Sequence, residues 1–289
     1  DFSRLLVSRW LLDLLAPWRS GGSLVRCLRL MQENHNLKIV ILAAGKGKRL
    51  ESLGFDLPKP LIPIHGRPMI MYLIDAVRES AVDGEPIIVT ATDNRALFCD
   101  HIGEKACHYV VQSAQLGTGH AVMCAQGIFD DATDVMVLYG DHPTVSAQTI
   151  RRLADEHQTS NATLTMMTVK FPDYNGWRQW FAGFGRIVRD ETGRVVRIVE
   201  ARDATAGELA LTEVNPAYMV FKRAWLCENV ALLSNKNAQG EYYLTDLVEL
   251  AVAQGQPMHT VMIDNPIEAI GINTPEQLKA AEEALEGGI

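Results

Sequence analysis

Apolar positions along this chain change their spacing from segment to segment, and those changes mark its elements. Ile39 to Leu42 form an unbroken apolar run, the pattern of a strand buried on both faces. In PMIMYLIDAVRES (Pro68 to Ser80) and SAQTIRRLADEH (Ser146 to His157), apolar residues return every three or four positions, as on one face of a helix. PIIVTA, YVVQ and DVMVLYGD read as further short strands, and GHAVMCAQGIF as an apolar helix. This alternation predicts βαβ units, and so an α/β fold with a mostly parallel sheet covered by helices on both faces. After Asn161 the pattern changes: TLTMMTVK, GRIVRD, GRVVRIVE and AYMVF follow one another with turns such as Thr192-Gly193 between, which predicts a smaller β-rich lobe. Thr274, Pro275 and Gln277 together spell a helix start, with a capping threonine, a proline at the first helical position and a glutamine closing a capping box. Asn273 is thereby held at the mouth of a helix.

The first 36 residues stand apart. FSRLLVSRWLLDLLAPW mixes leucine and tryptophan with Arg4, Arg9 and Asp13 and stops at Pro17, so residues 1–36 are expected to be an amphipathic helical extension too interrupted to span a bilayer. Its expected use is packing on the domain, a sister subunit or another partner. Residues 37–289 then form the main domain, with a first half at 37–160, a second at 161–265 and a closing segment at 266–289. No internal repeat is visible.

With 47% hydrophobic and 21% charged residues, the 289-residue chain has the composition of a globular protein with a large core. A formal net charge of −8 argues against a nucleic-acid backbone as partner and favours small anionic substrates met by local cations. Five scattered cysteines without a CxxC pair indicate neither a disulfide framework nor zinc, and point to a reducing cytoplasm. His101 and His108 are too far apart to form a helical metal pair.

Candidate chemistry collects at strand ends. KIVILAAGKGKRL (Lys38 to Leu50) breaks from its strand into a loop where Gly45 and Gly47 alternate with Lys46, Lys48 and Arg49. Glycines allow close approach to phosphate and the cations suit a triphosphate, yet neither GxGxxG nor GxxxxGK[ST] is present. Lys59 stands between Pro58 and Pro60, in a segment stiff enough to aim its ammonium at phosphate; a plain rigid connection would read the same way. Gln112 follows a strand and precedes Gly117 and Gly119; its amide matches a pyrimidine edge or is an ordinary loop group. Asp141 ends a buried strand, where a carboxylate either caps the next turn or binds a cation such as magnesium, which takes few protein oxygens. Ligands of open α/β sheets lie beyond the carboxyl ends of strands, where the Gly45 loop and Asp141 both fall.

Taken in order, LAAGKGKRL, LPKPL, QLGTGHAV, LYGD, GFGRI, IVEARDAT, EVNPA and QGEYYLTD resemble the motifs of the sugar-1-phosphate nucleotidyltransferases from Leu37 to the C-terminus. Within that family the likeness is to the uridylyltransferase domains of the bacterial N-acetylglucosamine-1-phosphate branch. The resemblance implies a Rossmann-like fold of the nucleotide-diphospho-sugar transferase type and a smaller sugar-binding lobe. It further implies that Ala43, Gly45, Lys46, Gln112, Gly117 and Thr118 hold UTP, that Arg49 and Lys59 contact phosphates as the catalytic cations, and that Asp141 and Asn273 bind Mg2+. Tyr139, Gly140, Gly185, Glu200, Asn215, Glu241 and Tyr243 would line the amino-sugar pocket. The implied reaction is in-line attack of a sugar-1-phosphate on the α-phosphorus of UTP. Lys48, Pro216 and the long PDYNGWRQWFAGFGRI segment, with Trp177 and Trp180, depart from the family pattern. Those departures leave open a different sugar-1-phosphate, dTTP as donor, or a non-catalytic sugar-nucleotide-binding subunit. The acyltransferase domain often fused to this enzyme has no counterpart in the sequence, so no acetyl-CoA chemistry is expected.

Overall fold

A computed structural model describes residues 36–45 and 54–287, so the expectations for the N-terminal extension and for Lys46, Lys48 and Arg49 lie outside the described residues. Labels number the described elements in chain order. Strand β1 (Leu37–Leu42) runs parallel between β4 (Ile87–Ala91) and β6 (Asp134–Tyr139), and β5 (His108–Gln112) extends the sheet beyond β4. The small hairpin of β2 (Pro63–Ile64) and β3 (Arg67–Pro68) stands apart as its own sheet.

Helices cover both faces, as the alternating pattern predicts. Ile39 and Ile41 face one core with Ile70, Leu73, Ile74 and Val77 of α1 (Met69–Glu79), whose spacing repeats every three or four residues. Helix α2 (Arg95–Ile102) contributes Phe98 to this side. Val40 and Leu42 face the other core with Ala121, Val122 and Ala125 of α3 (Thr118–Ala125). Each such aliphatic chain, fully buried, contributes about 1.5–3 kcal/mol, so β1 is held from both sides. Helix α4 (Ala147–Ser160) returns along the first face, capped by the Ser146 hydroxyl, which accepts from the Thr149 N–H at 3.1 Å.

The second half does not start a separate sheet. Strand β7 (Leu164–Lys170) lies in the main sheet, as do β11 (Met219–Lys222), inserted antiparallel between β6 and β7, and β12 (Met258–Met262), parallel on the far side of β7. Two of the runs expected in the lobe thus belong to the main sheet. The reason is visible in their sequences, since β7 and β11 are mostly apolar and are buried on both faces, which needs a central position. Only β8 (Arg186–Arg189), β9 (Val195–Val199) and the short β10 (Glu213–Val214) diverge, with α5 (Ala206–Leu209) between β9 and β10. One edge of β7 carries both halves: β11 pairs with its start and β10 with its end. Helices α6 (Arg223–Val230) and α7 (Asp246–Ala253) pack on the second core, and α8 (Pro275–Glu286) closes the chain.

The long aromatic segment forms a 3-10 turn over Gly176–Gly183. Phe181 is fully buried, 4.6 Å centroid to centroid from Phe171 and 5.0 Å from Phe184, while Trp177 packs edge-on against Phe171. Arg186 is buried beneath it, donating to the carbonyls of Ala182, Phe184 and Leu209 and lying over the Tyr174 ring. Trp177 is 38% exposed and Trp180 half-buried, and of the aromatics in this segment Phe184 is the one that lines a cavity described below.

Candidate active site

Two cavities meet at the carboxyl ends of β1 and β6. The first, of about 320 Å³, is lined by Ala43 and Gly45 after β1, Lys59, Gln112 after β5, Gly117 and Thr118 at the start of α3, and Asp141. The second, of about 200 Å³, is lined by Gly185, Glu200, Asn215, Tyr243 and Asn273. Thr118, Tyr139, Asp141 and Glu241 line both. Every candidate residue within the described chain except Gly140 thus borders one cavity or the other. Gly140 lies beneath them: its N–H donates to the Leu42 carbonyl at 3.0 Å, and a Cβ there would come within 3.4 Å of Ala43 and of Leu42 and nearer still to Ile70. It is a close-packing glycine between two strand ends.

Lys59, Asp141 and Asn273 come from three distant stretches and form one contact. The Lys59 ammonium donates to Asp141 Oδ2 and, at 3.1 Å, to Asn273 Oδ1. Asp141 is placed by the end of β6 and by its own carbonyl, which accepts from the Ile272 N–H at 2.9 Å. Asn273 is placed by the capping box of α8: Gln277 Oε1 accepts from the Asn273 N–H at 2.6 Å and the Thr274 N–H at 3.0 Å, and the Thr274 hydroxyl accepts from the Gln277 N–H. Burial pushes the Asp141 carboxyl upward, but the Lys59 ammonium, by its charge and its hydrogen bond, together with smaller neighbouring contributions holds the group below the usual carboxylate range. Two side-chain oxygens converging on one cation fit magnesium, which takes one or two protein oxygens and completes its shell with water and substrate phosphates. No cluster of three or more His, Cys, Asp or Glu suited to a metal occurs among the described residues.

In the first cavity, Gln112 donates through Nε2 to the Gly117 carbonyl at 3.0 Å, and the same nitrogen lies 3.0 Å from His120 Nδ1. Its amide oxygen is left to accept. Gly117 has φ +105°, and a Cβ there would lie 2.7 Å from the Tyr242 carbonyl oxygen. The chain itself takes that space: Gly119 N–H donates to the Tyr242 carbonyl, Tyr242 N–H to the Leu116 carbonyl, and Leu244 N–H to Thr118 Oγ1, each near 2.8–2.9 Å. Gly117 is thus demanded by a seam with residues 241–244, while a Cβ at Gly119 would lie 2.5 Å from the Leu233 side chain and 3.1 Å from the Tyr242 carbonyl oxygen.

In the second cavity, Glu200 Oε1 accepts from the Thr245 hydroxyl at 2.8 Å, and burial raises its pKa, with Asp203 and Glu241 adding to the rise. Gly185 has to be glycine because a Cβ would lie 2.8 Å from Ile198. Asn215 Oδ1 accepts from the Ala217 N–H at 3.0 Å, leaving its amide N–H groups free for a ligand. Ala217 holds this turn at φ +69°, a left-handed conformation costly for a residue with a Cβ. Tyr243 donates its hydroxyl to Asp203 at 3.1 Å and accepts from Gln239 at 2.9 Å, so it presents its ring to the cavity rather than a free hydroxyl.

Sequence reasoning missed several lining residues. Gln115, which donates to the Ala44 carbonyl at 2.6 Å, was legible only as loop polarity. His142, Phe184, Gln239 and Thr245 line the second cavity. His142 is buried and kept neutral by burial against the pull of Asp141; its Nδ1–H donates to the Tyr218 oxygen at 2.8 Å, and Tyr218 donates to the Glu268 carbonyl at 2.6 Å. Its position directly after Asp141 was the available signal.

Comparison with known proteins gives the sequence its relatives. The family model for nucleotidyl transferases matches residues 38–266. The bifunctional protein GlmU of Desulfotalea psychrophila is 38% identical over 256 residues, covering 88% of this chain and 72% of that protein. GlmU of Cupriavidus necator is 41% identical over 251 residues, covering 87% of this chain and 52% of the relative, so the chain spans between about half and three quarters of the length of these two relatives. A 2.76 Å crystal structure from Bacillus anthracis, described as a glucose-1-phosphate thymidylyltransferase in complex with a sucrose, superposes with a TM-score of 0.69 at 17% identity. That match covers 88% of this chain and 96% of the other, and shows a shared fold.

Proposed function

Because the chain belongs to the nucleotidyl transferase family, we propose that it forms UDP-N-acetylglucosamine and pyrophosphate from UTP and N-acetylglucosamine-1-phosphate. The observation that carries this reading is the pair of cavities sharing Asp141 and Tyr139 as a common wall. Such a layout suits two substrates that must be brought into line, and the share of identity with GlmU proteins favours uridylyl transfer to an amino sugar.

The first cavity holds the nucleotide, with the free carbonyl of Gln112 accepting from the imide N–H of uracil, an N–H that cytosine lacks. In the second, Glu200 and Asn215 hold sugar hydroxyl and amide groups, and Phe184 with the Tyr243 ring supplies apolar walls. The attacking phosphate is already ionised, so the chain need not provide a nucleophile. Its task is to position two anions and to neutralise charge as it builds in the transition state. Lys59 is assigned to the reacting phosphates, and Arg49 and Lys46 are assigned from sequence alone to the departing pyrophosphate. Asp141 and Asn273 would hold magnesium, which would supply neutralisation of phosphate charge. We place the reaction in the cytoplasm, consistent with four free cysteines among the described residues. No helix there is long and apolar enough to cross a membrane.

The test is mass-spectrometric detection of UDP-N-acetylglucosamine from UTP, N-acetylglucosamine-1-phosphate and Mg2+, beside a panel of other sugar-1-phosphates and dTTP. Preferred turnover of another acceptor reassigns the sugar. Binding of nucleotide without any pyrophosphate release overturns the catalytic reading.

A further inference from the structure

The oxygen pair assigned to the metal is already in use. Lys59 Nζ touches Asp141 Oδ2 and lies 3.1 Å from Asn273 Oδ1, and the lysine and aspartate side chains are only 15% and 16% exposed. An ammonium spends its donors on lone pairs, and a magnesium ion coordinates the same lone pairs at about 2.0–2.1 Å. The two cations cannot share them at close range. Charge counting points the same way, because a single carboxylate balances the lysine and leaves nothing in contact to balance a divalent ion. The other titratable side chain paired with this carboxylate is His142, whose Nε2 lies 3.6 Å from Asp141 Oδ1 and which brings no further negative charge. Glu241 borders both cavities and makes no hydrogen bond or ion pair with Lys59.

We propose that Lys59 and the divalent ion are alternative occupants of the Asp141–Asn273 pair. In the protein without substrate the lysine closes the pair. A phosphate group entering the first cavity offers the ammonium a new anion, Lys59 turns to it, and the two oxygens are released to the metal. The stiff Pro58–Lys59–Pro60 segment keeps the lysine's root fixed, so the exchange is a side-chain swing rather than a loop movement. The metal is therefore admitted together with the nucleotide and not before it. The lysine has two successive partners, the oxygen pair and then the phosphate. This inference rests on the proposed reading for the identity of the anion, and on the contacts above for the exchange itself.

The test is titration of the protein with Mn2+, followed by the electron paramagnetic resonance signal of free Mn2+, without nucleotide. Wild-type protein is expected to bind the ion weakly. Lys59→Met and Lys59→Gln, verified as folded by circular dichroism, are expected to bind it at least tenfold more tightly. Adding Asp141→Asn to either variant is expected to abolish the gain. Binding by both variants within twofold of wild type, or a gain that survives Asp141→Asn, overturns the exchange. So does wild-type protein that binds Mn2+ alone as tightly as turnover requires it, an outcome that needs no variant. Failure of the UDP-N-acetylglucosamine assay would instead remove the proposed substrate and leave the metal titration readable.

Discussion

Asp141 does more than any other residue in the described chain, because it stands two residues beyond the central strand β6, borders both cavities and accepts from Lys59. Asp141→Asn keeps the shape and removes the charge. The expected result is a fall in kcat of about 10²–10³, the scale of losing one preorganised electrostatic partner in a transition state, with excess Mg2+ failing to restore it. Steady-state rates across a magnesium series check this, and a loss of under about threefold would take the carboxylate out of the mechanism. Lys59 and Asp141 were legible as chemistry because each sits where packing does not ask for a charge. Their mutual contact was not legible: an 82-residue separation carries no local signal. The same holds for Tyr243, whose hydroxyl is claimed by Gln239 and Asp203, partners that spacing alone cannot reveal.

At the scale of elements, the start of α8 was readable in full, since its capping box depends only on residues 274–277. The box also fixes Asn273, whose N–H bonds Gln277. Thr274→Ala should lower stability by about 1 kcal/mol, the usual cost of losing such a cap, and should also raise the Mg2+ concentration that half-saturates activity. Thermal unfolding and a metal titration of rates measure the two effects. An unchanged metal requirement beside the expected stability loss would separate Asn273 from the cap. The parallel strands and their covering helices were likewise written in local apolar spacing. The insertion of β11 between β6 and β7 was not, because antiparallel entry into a parallel sheet is decided by long-range pairing rather than by the spacing within AYMVF.

For the whole molecule, the net charge of −8 is unevenly distributed. Glu200, Asp203, Asp246 and Glu249 crowd a third cavity of about 490 Å³ behind the second, with Lys236 and Arg197 on its wall and Arg197 already paired with Glu208. Burial, then repulsion from Glu200, Glu249 and Asp203, pushes Asp246 from 3.8 to about 6. A carboxyl with a raised folded-state pKa contributes stability that is complete below pH 3.8 and lost as pH rises through 6. Asp246→Asn should therefore stabilise the protein at pH 8 by about 1–2 kcal/mol, after discounting for partial solvation, and leave it unchanged near pH 4. Melting temperatures at the two pH values decide it; equal shifts at both would mean that charge is not the cause.

The seam between residues 116–119 and 241–244 ties the loop of the first cavity to a segment that arrives more than a hundred residues later. Acceptor range in this scaffold consequently cannot be retuned by transplanting the late segment from a cousin with different tastes. Such a graft would arrive without its mate, and Gly117, with no clearance for even one methyl group, would reject a backbone that travels a slightly different road. Swaps meant to change what the second cavity accepts have to carry both banks of that seam together.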